Sequence, residues 1–306
     1  MLQQCLAAVS LLLVVAGALR GRDLCPPLPE LSSLGAPRGL LDRAQELQRE
    51  YAFVNLLFVD AAMVPMTESF LCNWQALKTG QAIANRTLAM ALDKVAYAAL
   101  ASRLPARNVF ALSAVPPFGA SRKREYGAYG FWYLMLVRTR LQMDLLAAGV
   151  SFLQIEPDQV WFQDPLPHLE ARWGQADLVS INDHDLPGRT SLTGGFLLYK
   201  ATSPGVREAL ASVLDDQARL LRTDCRSYEL NEQVLLTEHA RRQGLRVVFL
   251  DPSAFQSGLM FNAPSPRAVV VHNNWLVGVA AKVERAKRAS YRAWFLDERG
   301  ACVVAF

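Results

Sequence analysis

The chain has 306 residues, of which 52% are hydrophobic and 20% charged, and a formal net charge of +4. That length and balance supply a buried core for one large or two small domains and exclude a disordered chain. The charge is mild, and without zinc-finger spacing or interleaved basic and aromatic residues it argues against a nucleic-acid partner.

Residues 5–19 (CLAAVSLLLVVAGAL) form an uncharged apolar stretch too short for a comfortable membrane span. Ala16-Gly17-Ala18 offers a small-residue cleavage site, so residues 1–22 read first as a secretory signal peptide. The alternative is a short uncleaved signal anchor, which would be the chain's sole contact with a membrane. Either way the bulk of the chain is expected in the secretory pathway, in the Golgi lumen or secreted. Asn85-Arg86-Thr87 is an N-glycosylation acceptor, which agrees with that setting. Without Cys5, four cysteines remain (Cys25, Cys72, Cys225 and Cys302), and their three possible pairings stay open.

Residues 23–50 read as a linker or stem, with 39–50 having the character of a stem or packing helix, and residues 51–306 as one domain. Within it, strand-like and helix-like segments alternate. Strands are expected at 54–59, 88–93 and 109–114, with helices at 68–77 and 94–103. The 115–130 segment is a Gly/Pro-rich loop carrying Arg122-Lys123-Arg124 among Phe118, Tyr126 and Tyr129, a candidate place for ligand contacts. Residues 131–148 read as a helix from Leu134, Val137, Leu141 and Leu145, with Gly149 as its C′ residue.

The stretch that follows, GVSFLQIEPDQVWFQDP, carries the chemistry. It is an apolar run ending in Glu156 and Asp158, and in an extended segment residues i and i+2 project to the same face. Pro157 between them favours an extended Glu156 and marks the end of a strand. Two hard oxygen ligands on one face suit manganese or magnesium (Mn2+ or Mg2+), which can hold a diphosphate. Further strands are expected at 176–183, 196–200, 245–250 and 268–272. Helices are expected from Ser203-Pro204 onward and at 231–243. The alternation predicts an α/β fold, a mainly parallel sheet flanked by helices.

Taken in order, these residues resemble the nucleotide-diphospho-sugar transferase family, which is related to plant cell-wall xylosyl- and arabinosyltransferases and has a GT-A-type fold. The resemblance covers about residues 50–297. It is most specific from Arg138 through the acidic pair to Val160-Trp161 and Asp164-Pro165. Glu156 stands where the family carries the first aspartate of a DxD motif, and Asp158 keeps the second. Asn73-Trp74 is similar to its early helix motif and Thr193-Gly194-Gly195-Phe196 to its Asn-x-Gly-Phe segment, with threonine for asparagine. Glu232-Gln233 resembles its Asp-Gln pair, and His272-Asn273-Asn274-Trp275 with Gly278 and Lys282 resembles its histidine-to-lysine motif.

The resemblance implies metal ligation by Glu156, Asp158 and His272, and donor or diphosphate contacts from Arg138, Gly194, Gly195 and Lys282. Asp183 or Asp185 would position sugar or acceptor, and Glu232 or Gln233 would lie beyond the anomeric carbon. The outer basic residues of the last helix, Arg285, Arg288 and Arg292, read as a solvated face. The implied activity is retaining, metal-dependent transfer from a nucleotide sugar, expected to be UDP-linked, to a glycan or glycoprotein acceptor. The rival readings are a catalytically degenerate nucleotide- or glycan-binding module and a metal-dependent hydrolase of phosphates or nucleotide sugars.

Overall fold

The structure, a computed structural model, describes residues 25–112, 127–184 and 190–303. The apolar leader, Cys5, the basic cluster at 122–124 with Phe118 and Tyr126, and Asp185 lie outside the described residues.

Ten strands follow in chain order: β1 (Val54–Val59), β2 (Thr87–Ala91), β3 (Val109–Ala111), β4 (Phe152–Ile155), β5 (Gln159–Trp161), β6 (Leu178–Asn182), β7 (Leu192–Tyr199), β8 (Val247–Phe249), β9 (Phe255–Gln256) and β10 (Val270–His272). Seven of them form one sheet in the order β3-β2-β1-β4-β7-β6-β8, and β5-β10-β9 form a second. Every pairing in the large sheet is parallel except the two made by β7, which runs antiparallel to β4 and β6. The expected mainly parallel α/β sheet is therefore present, with a sequence-distant strand inserted beside β4.

The parallel strands read as continuous apolar runs because both sheet faces are covered. On one face lie α1 (Leu40–Glu50), α5 (Tyr129–Ala147), α7 (Pro204–Thr223) and α8 (Glu232–Arg242); on the other lie α2 (Val64–Gln75), α3 (Gly80–Asn85), α4 (Lys94–Ala101) and α6 (Leu166–Glu170). Alternate residues of β1 show the division: Val54 and Leu56 join the first core, Leu57 and Val59 the second. Helix α5 ends as its sequence predicts. Gly149 adopts φ 78°, and the Gly149 and Val150 amides close onto the carbonyls of Leu146 and Leu145.

The segment ahead of residue 51, read from the sequence as linker and stem, is fastened to the core. Leu40, Ala44 and Leu47 of α1 are buried, and Cys25 is bonded to Cys225. A second disulfide, Cys72–Cys302, ties the C-terminal segment to α2. Among the described residues no helix is long and apolar enough to cross a membrane.

Strand β7 begins at Leu192, four residues before the sequence expectation, so Thr193, Gly194 and Gly195 belong to the sheet and not to a loop. Of the small second sheet, β10 falls within the strand expected at 268–272, whereas β5 and β9 were not anticipated. Its strands are two or three residues long, too short to leave a periodic signal.

Candidate active site

In open α/β sheets, ligands bind beyond the C-terminal ends of the parallel strands. Glu156 occupies that position on β4, and its backbone N–H donates to the Gly195 carbonyl of β7 at 3.0 Å. Pro157 then carries the chain out of the large sheet and into β5 of the small one. The acidic pair thus straddles a step between two sheets and does not lie on a single strand as its spacing suggested. The carboxylates still converge. Antiparallel pairing sets His272 on β10 opposite Gln159, and the Asn273 N–H donates to the Asp158 carbonyl at 2.7 Å, so the imidazole arrives beside both acids.

One ligand atom from each of Glu156, Asp158 and His272 lies within 4.8 Å of the others. His272 Nε2 is 3.1 Å from Asp158 Oδ1 and 3.5 Å from Glu156 Oε2. Asp158 and His272 are buried, whereas the Glu156 side chain is 33% exposed and opens toward solvent. Two carboxylate oxygens and an imidazole nitrogen at this spacing form a donor set that fits Mn2+ or Mg2+. Gly195 makes room for it, because a Cβ there would overlap the His272 ring and come within 2.6 Å of Glu156 Oε2.

Internal cations hold these acids in the protein. Lys282, on α9 (Val279–Arg288), donates from Nζ to Asp158 Oδ2 at 2.6 Å. Burial alone would raise the Asp158 pKa, but the charges of Lys282 and His272 outweigh it and hold the carboxyl well below the usual range. Burial would likewise lower His272, but Asp158 and Glu156 raise it to about 9. Lys282 is raised on balance, with burial opposed by the same two carboxylates. Glu156 is lowered, because its hydrogen bond with His272 and the Arg138 charge overcome burial and repulsion from Asp158.

Arg138 comes from the buried face of α5. Its guanidinium donates to Glu156 Oε1 at 3.1 Å and to Glu232 Oε2 at 2.8 Å. Glu232 is 1% exposed and also lies 3.5 Å from the Tyr199 hydroxyl, which donates to it. Glu232 and Gln233 were alternatives for one role in the sequence, and the structure separates them. Asn231 caps α8 by accepting from the Gln233 N–H at 3.1 Å. The helix then turns Glu232 inward behind Arg138 and Gln233 outward toward the site. Gln233 accepts from the Gly194 N–H at 2.9 Å and donates to Asp183 Oδ2 at 2.7 Å. Asn274 donates to the other oxygen of Asp183, also at 2.7 Å.

Three further placements qualify the sequence reading. The Thr193 hydroxyl is buried and donates to the Ile181 carbonyl at 3.0 Å, so this side chain is engaged within the sheet. Asn73 binds both the N–H and the carbonyl of Trp161, which ties α2 to the small sheet. Arg285 is not simply part of a solvated face. It donates to Asn273 Oδ1 at 2.5 Å and to the Asn274 carbonyl at 2.6 Å, and so pins the turn that follows His272. No spacing rule could have found Arg285, because its partners become neighbours only when α9 docks on β10.

A mainly parallel α/β sheet with a candidate divalent-metal site at the end of a central strand, and a lysine beside it, defines the class of GT-A-type folds. The nucleotide-diphospho-sugar transferase family matches residues 82–286, about two thirds of the chain, and the chain belongs to that family. It is 24% identical over 250 residues to the UDP-D-xylose:L-fucose alpha-1,3-D-xylosyltransferase 3 of Arabidopsis thaliana, covering 75% of this chain and 64% of that protein. A beta-arabinofuranosyltransferase of the same plant is 26% identical over 187 residues, 52% of this chain and 34% of its own length. This chain thus spans just under two thirds of the first of these relatives. Among solved structures, the glycosyltransferase GlyE of Streptococcus pneumoniae aligns with a TM-score of 0.47 at 12% identity, over 76% of this chain and 60% of that one. Mouse xyloside xylosyltransferase 1 aligns with a TM-score of 0.44 at 12% identity, over 73% and 98%.

Proposed function

We propose that the chain transfers a sugar from a UDP-linked donor to a glycan or glycoprotein acceptor, with retention of anomeric configuration and dependence on Mn2+ or Mg2+. The observation that carries this reading is the convergence of Glu156, Asp158, His272 and Lys282 beyond β4 in a chain of this family. When bound, the metal would supply Lewis-acid stabilisation of charge on the departing diphosphate. Glu156, Asp158 and His272 would hold it.

The remaining roles fall to the chain's own groups. Lys282 is bonded to Asp158 and would be a cation for the diphosphate once that carboxylate has another partner. Asp183 and Gln233, bonded to each other and to Asn274 and Gly194, would orient the donor sugar. Glu232 has no path to a substrate except through Arg138, so its role is to hold that arginine against Glu156. The α-linkage made by the plant xylosyltransferases is what supports retention here. Two disulfides between distant parts of the chain support folding in the oxidising secretory pathway, with the Golgi as the proposed compartment.

The test is UDP release from a panel of UDP-sugars with Mn2+, with and without a mixed glycan acceptor pool. Acceptor-stimulated release that disappears with chelator and in Asp158→Asn supports the transferase. Folded protein that binds UDP but never turns over a donor would leave the degenerate-module reading. Release that never depends on acceptor would favour a hydrolase.

A further inference from the structure

Trp275 is the one non-glycine residue with positive φ among the described residues, at 58°. A bulky side chain in that region is strained, and such strain persists only where the surroundings over-determine it. They do so here. The preceding residue, Asn274, is held at three points: its side chain donates to Asp183 and accepts from the Gly258 N–H, and its carbonyl accepts from Arg285. Gly258 allows this contact, since a Cβ there would collide with the Asn274 backbone.

The turn so fixed does not bury its tryptophan. Trp275 is 52% exposed, and its ring lies 6.1 Å from that of His184 between centroids. Val277 on the same turn, and Leu259 and Met260 on the turn that Asn274 clamps, are also exposed. Four exposed apolar side chains thus lie on the two turns that Asn274 joins, and Asn274 is itself bonded to Asp183 of the Asp183–Gln233 pair. An exposed aromatic in a costly conformation at the edge of a polar site is informative, because packing does not explain it.

Resting on the transferase reading above, we infer that Trp275 is a stacking platform for a pyranose ring of the acceptor saccharide. The flat indole suits the apolar C–H face of a sugar, while the polar groups next to it suit the hydroxyl edge. The acceptor is favoured over the donor by position. A donor sugar must adjoin the diphosphate and so meet the buried Gly194 and the Asp183–Gln233 pair, whereas the Trp275 side chain is half exposed.

The test is 19F NMR of protein labelled with 5-fluorotryptophan, in which the resonance absent from Trp275→Phe identifies this ring among the six tryptophans. Methyl glycosides of L-fucose, D-galactose, D-xylose, D-glucose and N-acetylglucosamine are titrated with and without Mn2+–UDP. The inference predicts a saturable shift of the Trp275 line with at least one glycoside. It also predicts a weakening of that glycoside's affinity of about tenfold in Trp275→Gly, which accepts the positive φ and keeps the other five resonances in place. A shift caused by Mn2+–UDP alone would make the ring a nucleobase contact and overturn the inference. A shift caused only by the sugar of an intact UDP-sugar would make it a donor contact, with the same result. No shift with any ligand also overturns it. Failure of UDP to bind at all, read separately by calorimetry, contradicts the transferase reading and not the platform.

Discussion

The large sheet and the small sheet each contribute one carboxylate to the candidate site, and they hold it in opposite ways. Glu156 ends a strand of the seven-stranded sheet and is backed by a buried ion chain, Arg138 to Glu232 to Tyr199, that extends into the core. Asp158 enters the three-stranded sheet and is held by His272 and by Lys282, whose side chain is 19% exposed. One side is a fixed brace with no solvent-facing member beyond Glu156 itself. The other is a pair of basic side chains that, on the proposed function, a bound metal would displace from Asp158. The difference teaches that two carboxylates two positions apart in sequence are held unequally: one by a buried brace and the other by a histidine and a partly exposed lysine.

The largest effect should come from breaking the brace. Glu232→Ala leaves a buried guanidinium without its closest partner, which costs about 3–5 kcal/mol, measured as a loss in urea unfolding free energy. If Glu232 were instead a surface-facing catalytic acid, stability would hardly change. Breaking the Lys282–Asp158 contact should spare the fold and affect chemistry. Lys282→Met is expected to lower turnover by about 10²–10³-fold while Mn2+ binding, measured calorimetrically, is retained or strengthened because a competitor is gone. The small sheet depends further on the Cys72–Cys302 bond, which holds the segment that completes its core. The Cys72→Ser/Cys302→Ser variant should lose about 2–4 kcal/mol, read from denaturant midpoints under non-reducing conditions.

The smallest effect sharpens the comparison through pH. His272 has its pKa raised to about 9 in the folded protein, so the stability from its charge is complete below its unfolded value and is lost as pH rises through about 9. Mn2+ must displace that proton. Its affinity should therefore rise by up to about tenfold per pH unit from neutrality toward pH 9, with about one proton released per ion. Calorimetry in buffers of differing ionisation heat reads that number directly. A pH-independent affinity would mean that His272 is not a ligand.

Much of this molecule was legible in the chain because the signals were local. The buried strand before Glu156, the glycine that ends α5 and the Ser203-Pro204 start of α7 each rest on neighbouring residues, and the structure places all three as read. What escaped depends on residues far apart. The insertion of β7 beside β4, the step of the acidic pair between two sheets, and the pinning of the 273–274 turn by Arg285 are set by docking, which leaves no period or spacing. The split between Glu232 and Gln233 is intermediate. The helix at 231–243 was read, but which of the two neighbours faces inward follows only from where α8 packs against Arg138.

The central claim is that Glu156, Asp158 and His272 bind a metal that in turn binds a nucleotide diphosphate. It is tested most directly by UDP affinity measured calorimetrically with Mn2+ and with chelator, on wild type and Asp158→Asn. The account predicts binding that requires Mn2+ and is lost in the variant while both proteins remain folded. Equal UDP affinity with chelator, or no binding by folded wild-type protein, would contradict it.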